Sequence, residues 1–144
     1  MFIDTNVFVN SRIPGAPGHD VARDRLQHAL HGDEPLRISR QVVREYLSVV
    51  TRPQTWPVSI TRDEALDDAS RLLRNFEILE DGPVVTESLI TLCREVSVAG
   101  KQIHDANIVA TMLAHGERRL LTFNTSDFRR YGDRIELVDT HSSP

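Results

Sequence analysis

A chain of 144 residues is long enough to bury one real core and too short for two comfortable ones. Hydrophobic residues make up 40% and charged residues 26%, the profile of a soluble globular protein, and no apolar run approaches the roughly 20 residues that a membrane span needs. The 17 bases against 21 acids leave a net charge of -4, which argues against a generic polyanion-binding surface, and a lone Cys93 leaves no internal disulfide and no cysteine-based metal site.

In chain order, the start Met1-Phe2-Ile3-Asp4 shows no secretory signal, so a cytoplasmic location is the expectation. Phe2-Ile3 reads as a first strand, followed by a loop at Pro14-Gly15-Ala16-Pro17-Gly18. Val21 to Leu30 has helical spacing and stops at Gly32, and Leu36-Arg37-Ile38 reads as a second strand. Ser39 is placed to cap a helix from Arg40 to Thr51 that must end near Arg52-Pro53. Thr61-Arg62-Asp63-Glu64 is a capping box, and Leu66, Ala69, Leu72 and Leu73 supply the apolar face of the helix it opens. Phe76 to Leu79 is a third strand. A helix from Val84 to Val98, with Cys93 expected to be buried in it, breaks at Gly100. The last clear helix runs from His104 to His115 and closes on Gly116. Leu120 to Phe123 and Ile135 to Val138 complete five short strands. The alternation predicts one α/β domain over residues 1–144 with a mainly parallel sheet, its last few residues forming a flexible tail.

Three acids stand where such a sheet binds ligands, at the carboxyl ends of its strands and at a helix start beside them, and a fourth lies inside an apolar helix. Asp4 follows the first strand, and Asp127 lies just past the fourth in Asn124-Thr125-Ser126-Asp127. Asp105 falls in the first turn of its helix, where the helix dipole favours an anion. Glu45 interrupts the apolar run Val42 to Val50 in mid-helix, so it must be shielded by a cation or open to a cleft, unless it simply pairs with Arg44 or Arg52. Singly, each acid has an ordinary reading as a cap, a turn or a surface charge. Brought together, they would repel one another unless a cation intervened. Oxygen-only ligands suit Mg²⁺ or Mn²⁺, ions that activate water and stabilise charge developing on a phosphodiester.

The segments around those acids resemble a known family. Phe2-Ile3-Asp4-Thr5-Asn6-Val7, Val43-Arg44-Glu45-Tyr46-Leu47, Ile103-His104-Asp105-Ala106-Asn107-Ile108 and Leu121-Thr122-Phe123-Asn124-Thr125-Ser126-Asp127-Phe128 are similar, in this order, to PIN-domain ribonucleases. The nearest likeness is to VapC-type toxins of toxin–antitoxin pairs. The resemblance implies a five-stranded parallel sheet flanked by helices, Mg²⁺- or Mn²⁺-dependent cleavage of RNA, homodimerisation and a cognate antitoxin. It assigns Asp4 and Asp105 to the main metal, and Glu45 and Asp127 to completing the site or orienting the attacking water. Asn6 and Asn124 resemble polar residues that organise the cluster.

Several residues invite a second role. His104 neighbours Asp105, but adjacent helical residues point about 100° apart, which favours a supporting role over a metal ligand. Trp56 would stack on an unpaired RNA base or, as the more ordinary reading, plug the core or a dimer contact. Arg40, Arg44 and Arg52 either flank the cleft or line a solvated face. A haloacid-dehalogenase-like phosphotransferase would also place an Asp after its first strand, but it wants an acid two residues later, where this chain has Asn6. A silent RNA-binding domain would be expected to lack one of the four acids. A PIN nuclease of RNA processing, acting without an antitoxin, is the remaining alternative.

Overall fold

A computed structural model of the protein describes residues 1–138 and 140. The flexible tail expected at the end of the chain falls on residues 139 and 141–144, outside the described ones. The strands are β1 (Phe2–Ile3), β2 (Arg37–Ile38), β3 (Glu77–Ile78), β4 (Arg119–Leu121) and β5 (Glu136–Leu137). They form one five-stranded sheet in the order β3-β2-β1-β4-β5, and all four pairings are parallel. The α-helices are α1 (Thr5–Arg12), α2 (His19–His31), α3 (Arg40–Thr51), α4 (Arg62–Asn75), α5 (Pro83–Glu95), α6 (Gln102–Ala114) and α7 (Thr125–Phe128), with a 3₁₀ stretch over Arg129–Arg134. This is the five-stranded parallel sheet flanked by helices that the resemblance implied.

The strands are shorter than the apolar runs that announce them because the runs bend away after one further ladder bond. Leu79 N–H still reaches the Ile38 carbonyl at 2.8 Å, and Val138 N–H reaches that of Leu120 at 2.9 Å. β1 lies at the centre, with Phe2 and Ile3 both 0% exposed, as a strand covered on both faces requires. The chain moves outward from β1 to β3 through α1–α4, then returns to the other side of β1 through α5 and α6. Right-handed crossovers running in opposite senses put the two helix sets on opposite faces. Between β1 and β4 the direction of winding reverses, and there a crevice opens beyond the carboxyl ends of the strands.

Helix α6 is the most enclosed, burying Ala106, Ile108, Val109, Ala110, Thr111 and Met112. It ends as expected at Gly116, whose φ of 71° is open to glycine at little cost. The Thr61–Glu64 capping box is present in both directions.

One helix was not expected from the sequence, and three local expectations are corrected. The chain after Asp4 forms α1 directly, although its β-branched residues are poor helix formers. Burial of Val7, Phe8 and Val9 overrides that propensity. In α4 the buried face is Ala65, Asp68, Ala69 and Leu72, while Leu66 and Leu73 are 43% and 42% exposed. Small alanines let α4 approach α3, which turns the flanking leucines outward. Ser39 precedes α3 but makes no side-chain cap, and its buried hydroxyl has no hydrogen-bond partner. Cys93 is partly rather than fully buried. Among the described residues no helix is long and apolar enough to cross a membrane.

Candidate active site

The register that aligns Ile3 with Leu121 puts the residues after β1 and β4 side by side. Asp4 N–H continues the ladder to the Leu121 carbonyl at 3.0 Å, and Asp4 then becomes the N-cap of α1. Its Oδ1 accepts from the Thr5 backbone N–H at 2.7 Å. Its Oδ2 accepts from the Thr122 hydroxyl at 2.7 Å and the Asn6 amide at 3.1 Å. The Asn6 carbonyl oxygen accepts from Phe123 N–H at 3.1 Å, locking α1 to the end of β4. Asp4 is 6% exposed. Burial pushes its carboxyl up to about 6, against the pull of the Thr122 and Thr5 donors, and the charges of Asp105 and Glu45 push the same way. Three hydrogen bonds do not overcome desolvation.

Asp105 sits in the first turn of α6 and is half-buried. It too is pushed up to about 6, first by burial and then by the charges of Asp127 and Glu45, while Arg130 and His104 pull it down. Glu45 projects from the middle of α3. Its Oε2 accepts from the Thr5 hydroxyl at 3.0 Å and its Oε1 from the Gln41 amide at 2.9 Å, so neutral donors rather than Arg44 or Arg52 hold it. Asp127 is exposed on α7, outside the cleft lining but near enough to act on Asp105. Asn124 lines the cleft, and its N–H donates to the Thr122 hydroxyl at 3.1 Å.

The cleft has a volume of about 410 Å³. Asp4, Glu45 and Asp105, with Asn6 and Asn124, supply its polar lining, while Val9, Val49 and Trp56 supply an apolar one. Among the described residues Arg52 is the one cation in this lining. Of the other arginines, Arg40 is turned away onto Glu80 at 2.6 Å, and Arg44 stands over a neighbouring pocket beside His104. His104 contributes its carbonyl, which accepts from Gln41 at 2.8 Å, while its ring is not part of the cleft lining.

Among the described residues no three His, Cys, Asp or Glu side chains close on one point as a finished metal cage. The acids act on one another across an open cleft instead. That fits Mg²⁺ or Mn²⁺, which accept a few carboxylates and keep much of their own water, and it does not fit zinc. A buried Asp4 and a half-buried Asp105, both held near 6 by desolvation and by neighbouring acids, are what a bound cation would relieve.

Sequence reasoning passed over Thr122, Thr5, Gln41, Asn107 and Arg130. Gln41 carried a signal, since it precedes Glu45 by one helical turn and therefore shares its face. Asn107 donates to the Gln41 carbonyl oxygen and to Asp81, both at 2.9 Å, and so fixes which way the Gln41 amide points. Thr122 carried none, because its importance depends on which strand lies beside β1.

Comparison with known proteins agrees with this geometry. The PIN domain family matches residues 1–134. Ribonuclease VapC24 of Mycobacterium tuberculosis is 25% identical over 132 residues, covering 90% of each chain. Among solved structures, VapBC2 from Rickettsia felis, bound to a DNA fragment from its promoter, superposes with a TM-score of 0.69 at 20% identity, covering 96% of this chain and 98% of that one. A toxin–antitoxin complex from Klebsiella pneumoniae gives 0.68 at 20% identity over 99% and 98%.

Proposed function

Because the chain belongs to the PIN-domain family, we propose that it is a Mg²⁺- or Mn²⁺-dependent endoribonuclease and the toxin of a toxin–antitoxin pair. The observation that carries the reading is one cleft in which Asp4 and Asp105 are both raised to about 6 by burial and by neighbouring acids. Asp4 and Asp105 would hold the divalent cation, whose charge favours ionisation of water and offsets the charge developing on the scissile phosphate. Glu45, oriented by Thr5 and Gln41, faces the same cleft and orients the attacking water. Asp127 completes the acidic rim. Asn6 holds Asp4 in place, and Asn124 lines the entrance.

The toxin reading draws on the likeness to ribonuclease VapC24 and to toxin–antitoxin complexes that share the fold. On that reading the protein acts in the cytoplasm as a homodimer, cuts RNA there, and is silenced by a cognate antitoxin.

The test is cleavage of structured RNA by purified protein with Mg²⁺ or Mn²⁺, with and without chelator, alongside Asp4→Asn. Cleavage should need the metal and vanish in the variant while circular dichroism stays unchanged. A fully active Asp4→Asn, free of contaminating nuclease, would sink the assignment. The toxin reading is tested at the adjacent reading frame, which should encode a small DNA-binding protein that binds this chain and stops cleavage.

A further inference from the structure

We propose that the apolar side of the cleft is a nucleobase subsite, where Trp56 stacks on one unpaired base of the RNA and Arg52 meets the adjoining phosphate. The inference rests on the ribonuclease reading above. Trp56 is half-buried: part of it packs against the core, and part lines the same cleft as the acids. Val9 and Val49 extend the apolar surface toward Asp4 and Glu45. The cleft thus offers carboxylates for a phosphate-bridging cation, one guanidinium for a phosphate, and an aromatic surface for a base. A volume of about 410 Å³ holds a unit of nucleotide size.

The segment carrying Trp56 is braced in place. Gln54 donates to the Val49 carbonyl at 2.6 Å, tying the segment to the end of α3. Pro57 lies against Gly15 so closely that a Cβ there would stand 3.0 Å from the proline Cδ and Cγ, and Gly15 has a φ of +85° that disfavours any side chain. Pro53 and Pro57 flank the tryptophan and restrict the backbone on either side. A rigid ring at the mouth of a cleft loses little entropy when a base covers it. A base inside a duplex is already stacked and cannot reach it, so the subsite selects a single-stranded or looped-out nucleotide.

Trp56 is the only tryptophan, so emission excited at the red edge, where tyrosine does not absorb, reports this site alone. Glu45→Gln protein in Mg²⁺, which keeps both proposed metal ligands and loses the carboxylate that orients water, is titrated with a single-stranded ribo-oligonucleotide and with an abasic strand of equal length. Emission should be quenched by the first and not by the second. In parallel, KM and kcat are measured on the otherwise unchanged enzyme. Trp56→Phe should keep KM, whereas Trp56→Leu, which preserves apolar packing but lacks the ring, should raise KM by about tenfold with kcat little changed. Equal quenching by both strands, no quenching by either, or a Trp56→Leu enzyme with unaltered KM overturns the subsite. Failure of the ribonuclease reading shows itself separately, as a wild-type protein that cuts no RNA in Mg²⁺ or Mn²⁺.

Discussion

The Thr122 hydroxyl donates to Asp4 Oδ2 at 2.7 Å and accepts from the Asn6 amide and the Asn124 N–H at 3.1 Å each, joining the carboxyl ends of the two central strands. A hydroxyl has one hydrogen to give and two lone pairs to receive, and all three are used at a side chain that is 0% exposed. Thr122→Val keeps the shape and removes the three bonds. Leaving buried polar groups unmatched should destabilise the protein by about 1–3 kcal/mol, read by urea denaturation. Loss of the Thr122 donor, which now lowers the Asp4 carboxyl, should move the acidic limb of the cleavage–pH profile upward. An acidic limb at the wild-type position would detach Thr122 from Asp4.

Proton and metal should compete for the cleft. Asp4 and Asp105 sit at about 6 in the metal-free fold against 3.8 for a free carboxyl. A carboxyl raised on folding favours the protonated fold. Its stabilising contribution is whole below about 3.8 and disappears as pH rises through about 6. For buried Asp4 the difference is worth roughly 3 kcal/mol, and for half-exposed Asp105 less. Saturating Mg²⁺ or Mn²⁺ should therefore raise Tm clearly near about pH 8 and little near about pH 5, with chelator reversing the rise. Metal-free Asp4→Asn should melt at or above wild type near about pH 8 and converge with it near about pH 4. Equal metal stabilisation at both ends of the range would contradict the coupling.

Gln41 should act through Glu45. It is 6% exposed, with its amide donating to Glu45 and its carbonyl oxygen held by Asn107. Gln41→Leu frees the Glu45 carboxylate to turn, and kcat should fall by about tenfold or more while KM changes little. Gln41→Glu puts a second carboxylate beside Glu45 and should also shift the acidic limb upward. A rise in KM with a fall in both kcat and Tm would instead mark Gln41 as purely structural.

Tyr46 is the control next door. Its hydroxyl donates to Asp68 at 2.6 Å, on the side of α3 away from the cleft, and Arg12 donates to the same oxygen at 2.9 Å. Tyr46→Phe should cost roughly 2 kcal/mol in denaturant unfolding, since a buried bond to a charged acceptor is lost. Cleavage well below the melting transition should be unchanged. Reduced turnover in this variant would mean that α3 transmits strain from one face to the other.

Much of the architecture could be read from local chemistry. The Thr61–Glu64 box, the stop at Gly116 and the apolar runs at β1 and β4 each depend on residues within a turn or two of one another, and each lies where the pattern puts it. The positions of Asp4, Glu45, Asp105 and Asp127 relative to strand ends and helix starts were legible for the same reason. Helix α1 was not, because its residues favour other conformations and only burial against the sheet makes it a helix.

What the sequence determines by itself is the inventory: four acids, five short strands and most of the helices between them. Only the tertiary structure decides which of these meet. Thr122 holds Asp4 across 118 positions of chain because the winding reverses between β1 and β4. Trp56 faces the cleft as well as the core because its loop closes over Gly15. Contacts of that range depend on strand order, register and close packing of distant loops, properties that no short window of residues contains.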